Sequence, residues 1–307
     1  MRACIDIGGT KVSVSLNDGS GLGLIAQRGE PTAKTGSNDA VARQVLRMVD
    51  EACAEAGVAP DAVQAAGVAS CGPFVLVDGR IEIAAPNICG GLAGPARGLP
   101  NDWTTAVLEA PLARRFARLR LENDGIAALE AERRWGALQG VDDCAYVTWS
   151  TGVGTGLCVG GRVLRGKHGN AGHAGHMFVS DDDRALCGCG NVGDLEALVG
   201  GTFLKSRFGL EAAALMQHAR DGDAPALAAV DTLCRLMGRG LYNLVAALDL
   251  QRISIGGSVF CHNRELLLPR LQAEVGRHLK PLTSGCELVP AGLGERVGDY
   301  AALALLD

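Results

Sequence analysis

Residues 2–7 form a short apolar run, residues 12–16 (Val-Ser-Val-Ser-Leu) alternate apolar and polar, and Gly8-Gly9-Thr10 stands between them. This pattern predicts a β-hairpin with a glycine-rich turn. A Walker A loop is excluded, because that motif opens a helix whereas Gly8-Gly9-Thr10-Lys11 runs into a strand. Apolar residues then recur at helical spacing between Asp39 and Ala56 (Val41, Val45, Met48, Val49, Ala52). A strand is expected over 63–68, a second helix over about 104–119 and a short strand over 120–122. From Tyr146 the opening pattern returns as a strand over 146–149, a glycine turn over 151–156, a second strand over 157–159 and a tight turn at Gly160-Gly161. Two strand–glycine-turn–strand units point to an internal duplication. A long apolar helix over about 226–248 and a strand over 252–255 lead to a third glycine pair, Gly256-Gly257.

Composition narrows the classes. At 307 residues and 48% hydrophobic content the chain can bury a core large enough for two domains. Its 29 basic against 34 acidic residues leave a net charge of −5, which offers no basic face to nucleic acid. No apolar run approaches the roughly 18 residues of a membrane span, and no signal-peptide stretch opens the chain, so a cytoplasmic protein is expected. Of eleven cysteines, Cys4, Cys53, Cys144, Cys158 and Cys234 sit singly in apolar segments, where a reduced thiol serves as a small hydrophobe. Only Cys187 and Cys189 are closely spaced. The 43 glycines are about twice ordinary usage, so a single G-x-G carries little information.

Seven motifs follow one another in a fixed order. They are Asp6-Ile7-Gly8-Gly9-Thr10-Lys11, Ala85-Pro86-Asn87, Glu122-Asn123-Asp124-Gly125, Ser150-Thr151-Gly152-Val153-Gly154-Thr155-Gly156, Ala171-Gly172-His173-Ala174-Gly175-His176, Cys187-Gly188-Cys189-Gly190 and Ile255-Gly256-Gly257-Ser258. Together they resemble the ROK family of sugar kinases, over nearly the whole chain. The resemblance implies an α/β protein of the actin-like ATPase fold, two ribonuclease-H-like domains with a cleft between them. A small domain would span 1–121, completed by a C-terminal helix at about 295–307, and a larger one 122–294. It also implies a homodimer that moves the γ-phosphoryl group of ATP, with Mg²⁺, onto the 6-hydroxyl of a hexose or N-acetylhexosamine.

Phosphoryl transfer asks the protein chiefly for positioning and charge stabilisation. Glycines without Cβ atoms let backbone N–H groups approach phosphate oxygens, and threonine hydroxyls add donors. The resemblance assigns nucleotide contacts to Asp6, Gly8, Gly9, Thr10, Lys11, Thr151, Gly152, Gly154, Gly156, Gly256 and Gly257, with Asp6 holding Mg²⁺ through water. Asp124, between a strand and an apolar helix, is the candidate general base for the attacking hydroxyl; the same position suits a helix N-cap. Asn87, Asn123, His173, His176 and Glu196 resemble the family's sugar contacts, and a buried Asn can equally be structural.

His176, Cys187 and Cys189 have metal-ligand character, but the family usually places a further Cys where this chain has Asp194. One His, two Cys and one Asp could still close a tetrahedral structural zinc site. His173 stands where most ROK glucokinases carry Glu, and the resulting His-x-Gly-His resembles bacterial N-acetylmannosamine kinases. The expected activity is therefore phosphorylation of N-acetyl-D-mannosamine, with glucose or another hexose as the alternative and a non-catalytic sugar-binding regulator behind both. A repressor of the same family would carry a helix-turn-helix region ahead of the first glycine turn, and here that turn begins at Gly8.

Overall fold

The alternating run over 12–16 pairs back on the first apolar run. Strand β1 (Arg2–Ile7) lies antiparallel to β2 (Lys11–Asn17), with Asp6 opposite Ser13, in a computed structural model that describes residues 1–92, 98–181 and 184–307. Strand β3 (Ile25–Pro31) continues the antiparallel edge, and β4 (Ala65–Ser70) adds parallel to β1. Strands β5 (Phe74–Val77), β6 (Arg80–Ile83) and β7 (Ala106–Val107) form a small separate sheet, and β8 (Arg118–Asn123) returns parallel to β4. The first large sheet thus has the order β3-β2-β1-β4-β8. The helix Ala40–Glu55 buries Val41, Val45, Met48, Val49 and Ala52 completely, the stripe that the helical spacing predicts.

The second half repeats this plan. Strands β9 (Cys144–Trp149), β10 (Val153–Val159) and β11 (Arg162–Val163) form an antiparallel meander, and β12 (Arg252–Gly256) and β13 (Glu287–Pro290) add in parallel to give the order β11-β10-β9-β12-β13. Two sheets with the same order and the same change from antiparallel to parallel pairing bear out the internal duplication and the actin-like α/β class.

The chain divides into two compact units. The first comprises residues 1–131, 165–171 and 298–307; the second comprises 132–164 and 172–297. Each has its own apolar core, around Ile5, Val14, Met48 and Val68 in the first and around Trp149, Leu198, Met237 and Phe260 in the second. In the first unit the helix Val297–Ala304 packs on β4 so closely that a Cβ on Gly67 would lie 2.0 Å from the Ala302 carbonyl oxygen. In the second, the fully buried Glu132 carboxylate accepts from Ser254 Oγ and from the backbone N–H groups of Ala137, Gly292 and Leu293, at 2.8 to 3.0 Å.

Three sequence expectations are corrected. The helix over about 104–119 contracts to Glu109–Arg115, because Ala106 and Val107 pair with β6 instead and the Val107 N–H donates to the Asn38 carbonyl; the strand expected over 120–122 begins already at Arg118. The turn expected over 151–156 closes at Gly152, and Gly154 and Gly156 lie within β10, opposite Thr148 and Tyr146. The physical reason is the ladder with β9, which takes up the backbone from Val153 onward; it is the facing loop that needs glycine for close approach, a Cβ on Gly172 lying 2.6 Å from the Thr155 carbonyl oxygen and one on Gly175 2.2 Å from that of Val153. All eleven cysteines are free thiols, and no helix among the described residues is long and apolar enough to cross a membrane.

Candidate active site

The candidate residues fall into two groups, one in each unit. In the first unit the turn after β1 is closed by the Gly8 N–H donating to the Lys11 carbonyl at 2.9 Å and is tied to β3 by Thr32 Oγ, which donates to the Gly8 carbonyl at 2.7 Å. Thr10 and Lys11 are exposed. Asn87 lies against the turn: a Cβ on Gly9 would sit 2.0 Å from Asn87 Nδ2, so only glycine allows the approach. The Asn87 Oδ1 atom is buried with no hydrogen-bond partner among the described residues, a state that a donating ligand group would relieve.

Asn123 and Asp124 sit at the junction of β8 and the helix Asp124–Trp135. Asn123 precedes the helix and its Oδ1 accepts from the Gly125 N–H at 3.0 Å, so Asp124 is not alone in capping the helix. Asp124 Oδ1 also faces that N–H at 2.8 Å, and the side chain is exposed at the positive end of the helix. Asp6 lies in the same group. Burial, then the charges of Asp124 and Asp299, push its carboxyl up to about 7, against the pull of Lys11. Crowded carboxylates of this kind suit a divalent cation, which would relieve their repulsion, so Asp6 fits the Mg²⁺ role. The sequence reading missed Asp299; its signal was a single acid in the otherwise apolar helix Val297–Ala304. Cys71, just past β4, also belongs here, its thiol held well above the ordinary range by burial and by Asp124 and Asp6.

In the second unit the turn between β9 and β10 is closed by the Ser150 N–H donating to the Gly152 carbonyl at 3.0 Å. Thr151 is exposed at its tip. The Ser150 and Thr151 carbonyls accept from the N–H groups of Gly201 and Thr202, at 2.8 and 3.1 Å. Trp149 Nε1 donates to the Val199 carbonyl at 2.8 Å, and the Val153 N–H donates to Glu196 Oε2 at 3.0 Å. The short helix Leu195–Val199 is thus stitched to the turn along its length. Gly257, with φ of +86°, packs on β9 so tightly that a Cβ would lie 2.5 Å from the Trp149 carbonyl oxygen; Gly256 is opposite Thr148, and a Cβ there would lie 2.6 Å from the Tyr146 hydroxyl.

His176, Cys187, Cys189 and Asp194 converge, with one ligand atom from each lying within 4.8 Å of all the others. The Asp194 Oδ2 is 3.0 Å from His176 Nδ1 and 3.5 Å from Cys189 Sγ, and His176 Nδ1 is 3.5 Å from Cys189 Sγ and 3.8 Å from Cys187 Sγ. A tetrahedral zinc with bonds of ~2.3 Å to sulfur and ~2.0–2.1 Å to nitrogen or oxygen would set sulfur and nitrogen roughly 3.5 Å apart and nitrogen and oxygen roughly 3.4 Å apart. The four residues fit such an ion, including Asp194 in place of the family's Cys. Asp194 is fully buried and its other oxygen caps the helix Leu195–Val199 by accepting from the Ala197 N–H at 2.9 Å. Burial works against its ionised form, but the hydrogen bonds from His176 and Ala197 prevail and hold its pKa low; the Asp194 hydrogen bond in turn raises that of His176.

His173 stacks on His176 with ring centroids 6.0 Å apart. Its Nε2 is buried with no partner among the described residues, and burial, followed by the neighbouring His176, lowers its pKa. A neutral ring that leaves one polar atom unsatisfied has a place for a ligand group.

The ROK family profile matches residues 2–307. The chain is 30% identical to a glucokinase of Aeropyrum pernix, over 98% of this chain and 95% of that one. It is 32% identical to an N-acetylmannosamine kinase of Yersinia pestis, over 83% of this chain and 82% of the relative. A ROK family glucokinase from Streptomyces griseus, solved in complex with glucose and AMPPNP, superposes with a TM-score of 0.74 at 27% identity, covering 98% of this chain and 97% of the other.

Proposed function

The chain belongs to the ROK family, and from that premise we propose that it is an ATP-dependent sugar kinase acting on the 6-hydroxyl of an N-acetylhexosamine, N-acetyl-D-mannosamine before others. The observation that carries the kinase reading is Asp124: an exposed carboxylate on the first residue of the helix after β8, sharing the cap with Asn123 and grouped with Asp6 beside the first glycine turn. Asp124 accepts the proton of the attacking hydroxyl as the bond to phosphorus forms. Asn87, through its unsatisfied Oδ1, and Asn123, through the amide nitrogen that capping leaves over, orient the sugar hydroxyls. The N–H groups of the turns at Gly8-Gly9-Thr10-Lys11 and Thr151-Gly152, with Gly256-Gly257, approach phosphate oxygens. Bound Mg²⁺, carried by Asp6 through water, would neutralise phosphate charge. The complex of the Streptomyces griseus relative with AMPPNP, an ATP analogue, supports the choice of donor.

The sugar is read from His173 in place of the usual Glu, with His176 and Glu196 beside it. A neutral imidazole can donate to an acetamido carbonyl, whereas a carboxylate would repel it. Glucose is the second reading, favoured by the glucokinase relative that matches almost the full chain. We place the enzyme in the cytoplasm as a homodimer. A coupled ATPase assay across N-acetylmannosamine, glucose, N-acetylglucosamine, mannose and fructose tests the assignment: turnover highest on N-acetylmannosamine supports it, preference for glucose replaces it, and no turnover on any sugar refutes the kinase.

A further inference from the structure

We propose that a cleft of about 420 Å³ within the second unit is a further ligand site, and that it takes a sugar monophosphate. The choice of ligand, the product class of the reaction, rests on the kinase reading. The size lies in the ~300–1,000 Å³ range of small-molecule sites. Arg239, Tyr242 and Asn243 stand one turn apart on the helix Ala224–Leu248, with Arg239 and Asn243 exposed. Phe178 and Asp181 come from the segment that follows His176, and His278 lies between the helices Arg264–Gly276 and Lys280–Thr283. None of these residues belongs to the sugar, nucleotide or metal groups described above.

The charge around the cleft selects an anion. Arg239 holds no carboxylate among the described residues, and neither does Arg235, one turn earlier, or Lys280, two residues after His278. This happens in a chain of net charge −5 whose Arg28, Arg47, Arg165 and Arg252 are all paired, so three free cations about one cleft favour a phosphate over a neutral ligand. The Tyr242 hydroxyl and Asn243 amide, also without hydrogen bonds among the described residues, add donors. His278 Nε2 is buried with no hydrogen-bond partner, 3.7 Å from a Glu274 carboxylate whose other oxygen Arg277 holds at 2.9 Å.

The rest of the lining calls for a ring with hydroxyls. Phe178 is 64% exposed, and the Tyr242 and His278 rings lie 4.4 Å apart between centroids, so aromatic surface is open to the C–H face of a sugar. Asp181 can accept from a ring hydroxyl. A bare anion would leave Phe178 and Asp181 idle, and a neutral sugar would leave the cations idle; the ester engages both. Phe178 is bridged to Asp194, and the Met177 carbonyl accepts from the Leu195 N–H at 2.9 Å, which ties this wall to the loop of His173 and His176.

Isothermal titration tests the site with the catalytic residues already occupied. N-acetylmannosamine 6-phosphate is titrated into protein saturated with AMPPNP, Mg²⁺ and N-acetylmannosamine, and the titration is repeated with glucose and glucose 6-phosphate. The wild type is expected to bind about one ester per chain, and Arg239→Ala to weaken it about tenfold or more while kcat and KM measured without added product stay within about twofold. Arg239→Lys, which keeps the charge, should recover part of the affinity. No binding under these conditions, or an affinity unchanged by Arg239→Ala, overturns the proposal. Inorganic phosphate or unphosphorylated sugar bound as tightly as the ester overturns it as well. So does a change of subunit state in Arg239→Ala by sedimentation, which would make this face a contact between copies of the chain. A wild type that binds the ester but phosphorylates no sugar would sink the kinase reading alone, since the titration needs no turnover.

Discussion

Asn170 grips Phe74 by both main-chain groups: its Nδ2 donates to the Phe74 carbonyl and its Oδ1 accepts from the Phe74 N–H, each at 2.7 Å. The pair spans 96 residues and docks the 165–171 segment onto the first unit. Asn170→Ala breaks both bonds and leaves the Phe74 groups unsatisfied, so the variant should lose about 1–3 kcal/mol of stability. Urea denaturation measures this, and an unchanged midpoint would show that water replaces the amide without cost.

Asp124→Asn removes the proton acceptor but keeps the shape and the neighbouring cap. The variant should lose at least ~10²-fold in kcat while binding sugar within a few fold of wild type. Stopped-time assays paired with sugar titration separate the two quantities, and retained turnover would leave Asp124 only its place at the helix start.

The cluster of His176, Cys187, Cys189 and Asp194 should hold about one zinc per chain, more weakly than a site with a third thiolate. Elemental analysis of purified protein checks the stoichiometry, and a chelator should lower the melting temperature. Asp194→Cys should tighten the metal but lose the cap on Ala197, for a partial cost of about 1 kcal/mol. Protein free of zinc whose melting is unaltered by chelator would remove the ion from this account.

His173→Glu restores the carboxylate common among ROK glucokinases. If the imidazole favours the acetamido group, the ratio of kcat/KM for N-acetylmannosamine to that for glucose should fall by about tenfold or more. A substitution that slows both substrates equally would show that specificity lies elsewhere.

The sequence revealed the first hairpin because Val12 to Leu16 alternate cleanly and the turn glycines interrupt them, and it revealed the duplication because the pattern recurs at Tyr146. It misplaced Gly154 and Gly156 for a physical reason: glycine occurs both in turns and within strands, and which it is here is decided by the pairing with β9, which local pattern does not show. Ala106 and Val107 read as helix because a two-residue strand is defined by its partner β6 rather than by its own pattern. The metal ligands were legible as a cluster of residue types, and the substitution at Asp194 was visible as a departure. Asn170, Asp299 and the hydrogen bond from Val153 to Glu196 depend on residues brought together by tertiary packing, so local pattern gave no sign of what they touch.

The close fit of Ala302 over Gly67 bears on synthesis. The second unit's two segments end at Val297, whereas the first unit needs Gly298–Asp307, with Arg118 donating to the Leu306 carbonyl at 2.6 Å. Translation therefore finishes the downstream-encoded unit before the upstream one. At roughly 5–20 residues per second, β4 must wait on the order of ten seconds or more on the ribosome with its helix-facing side uncovered. For that interval the nascent first unit presents the apolar side of β4 to whatever holds it, a demand on chaperones set by chain order.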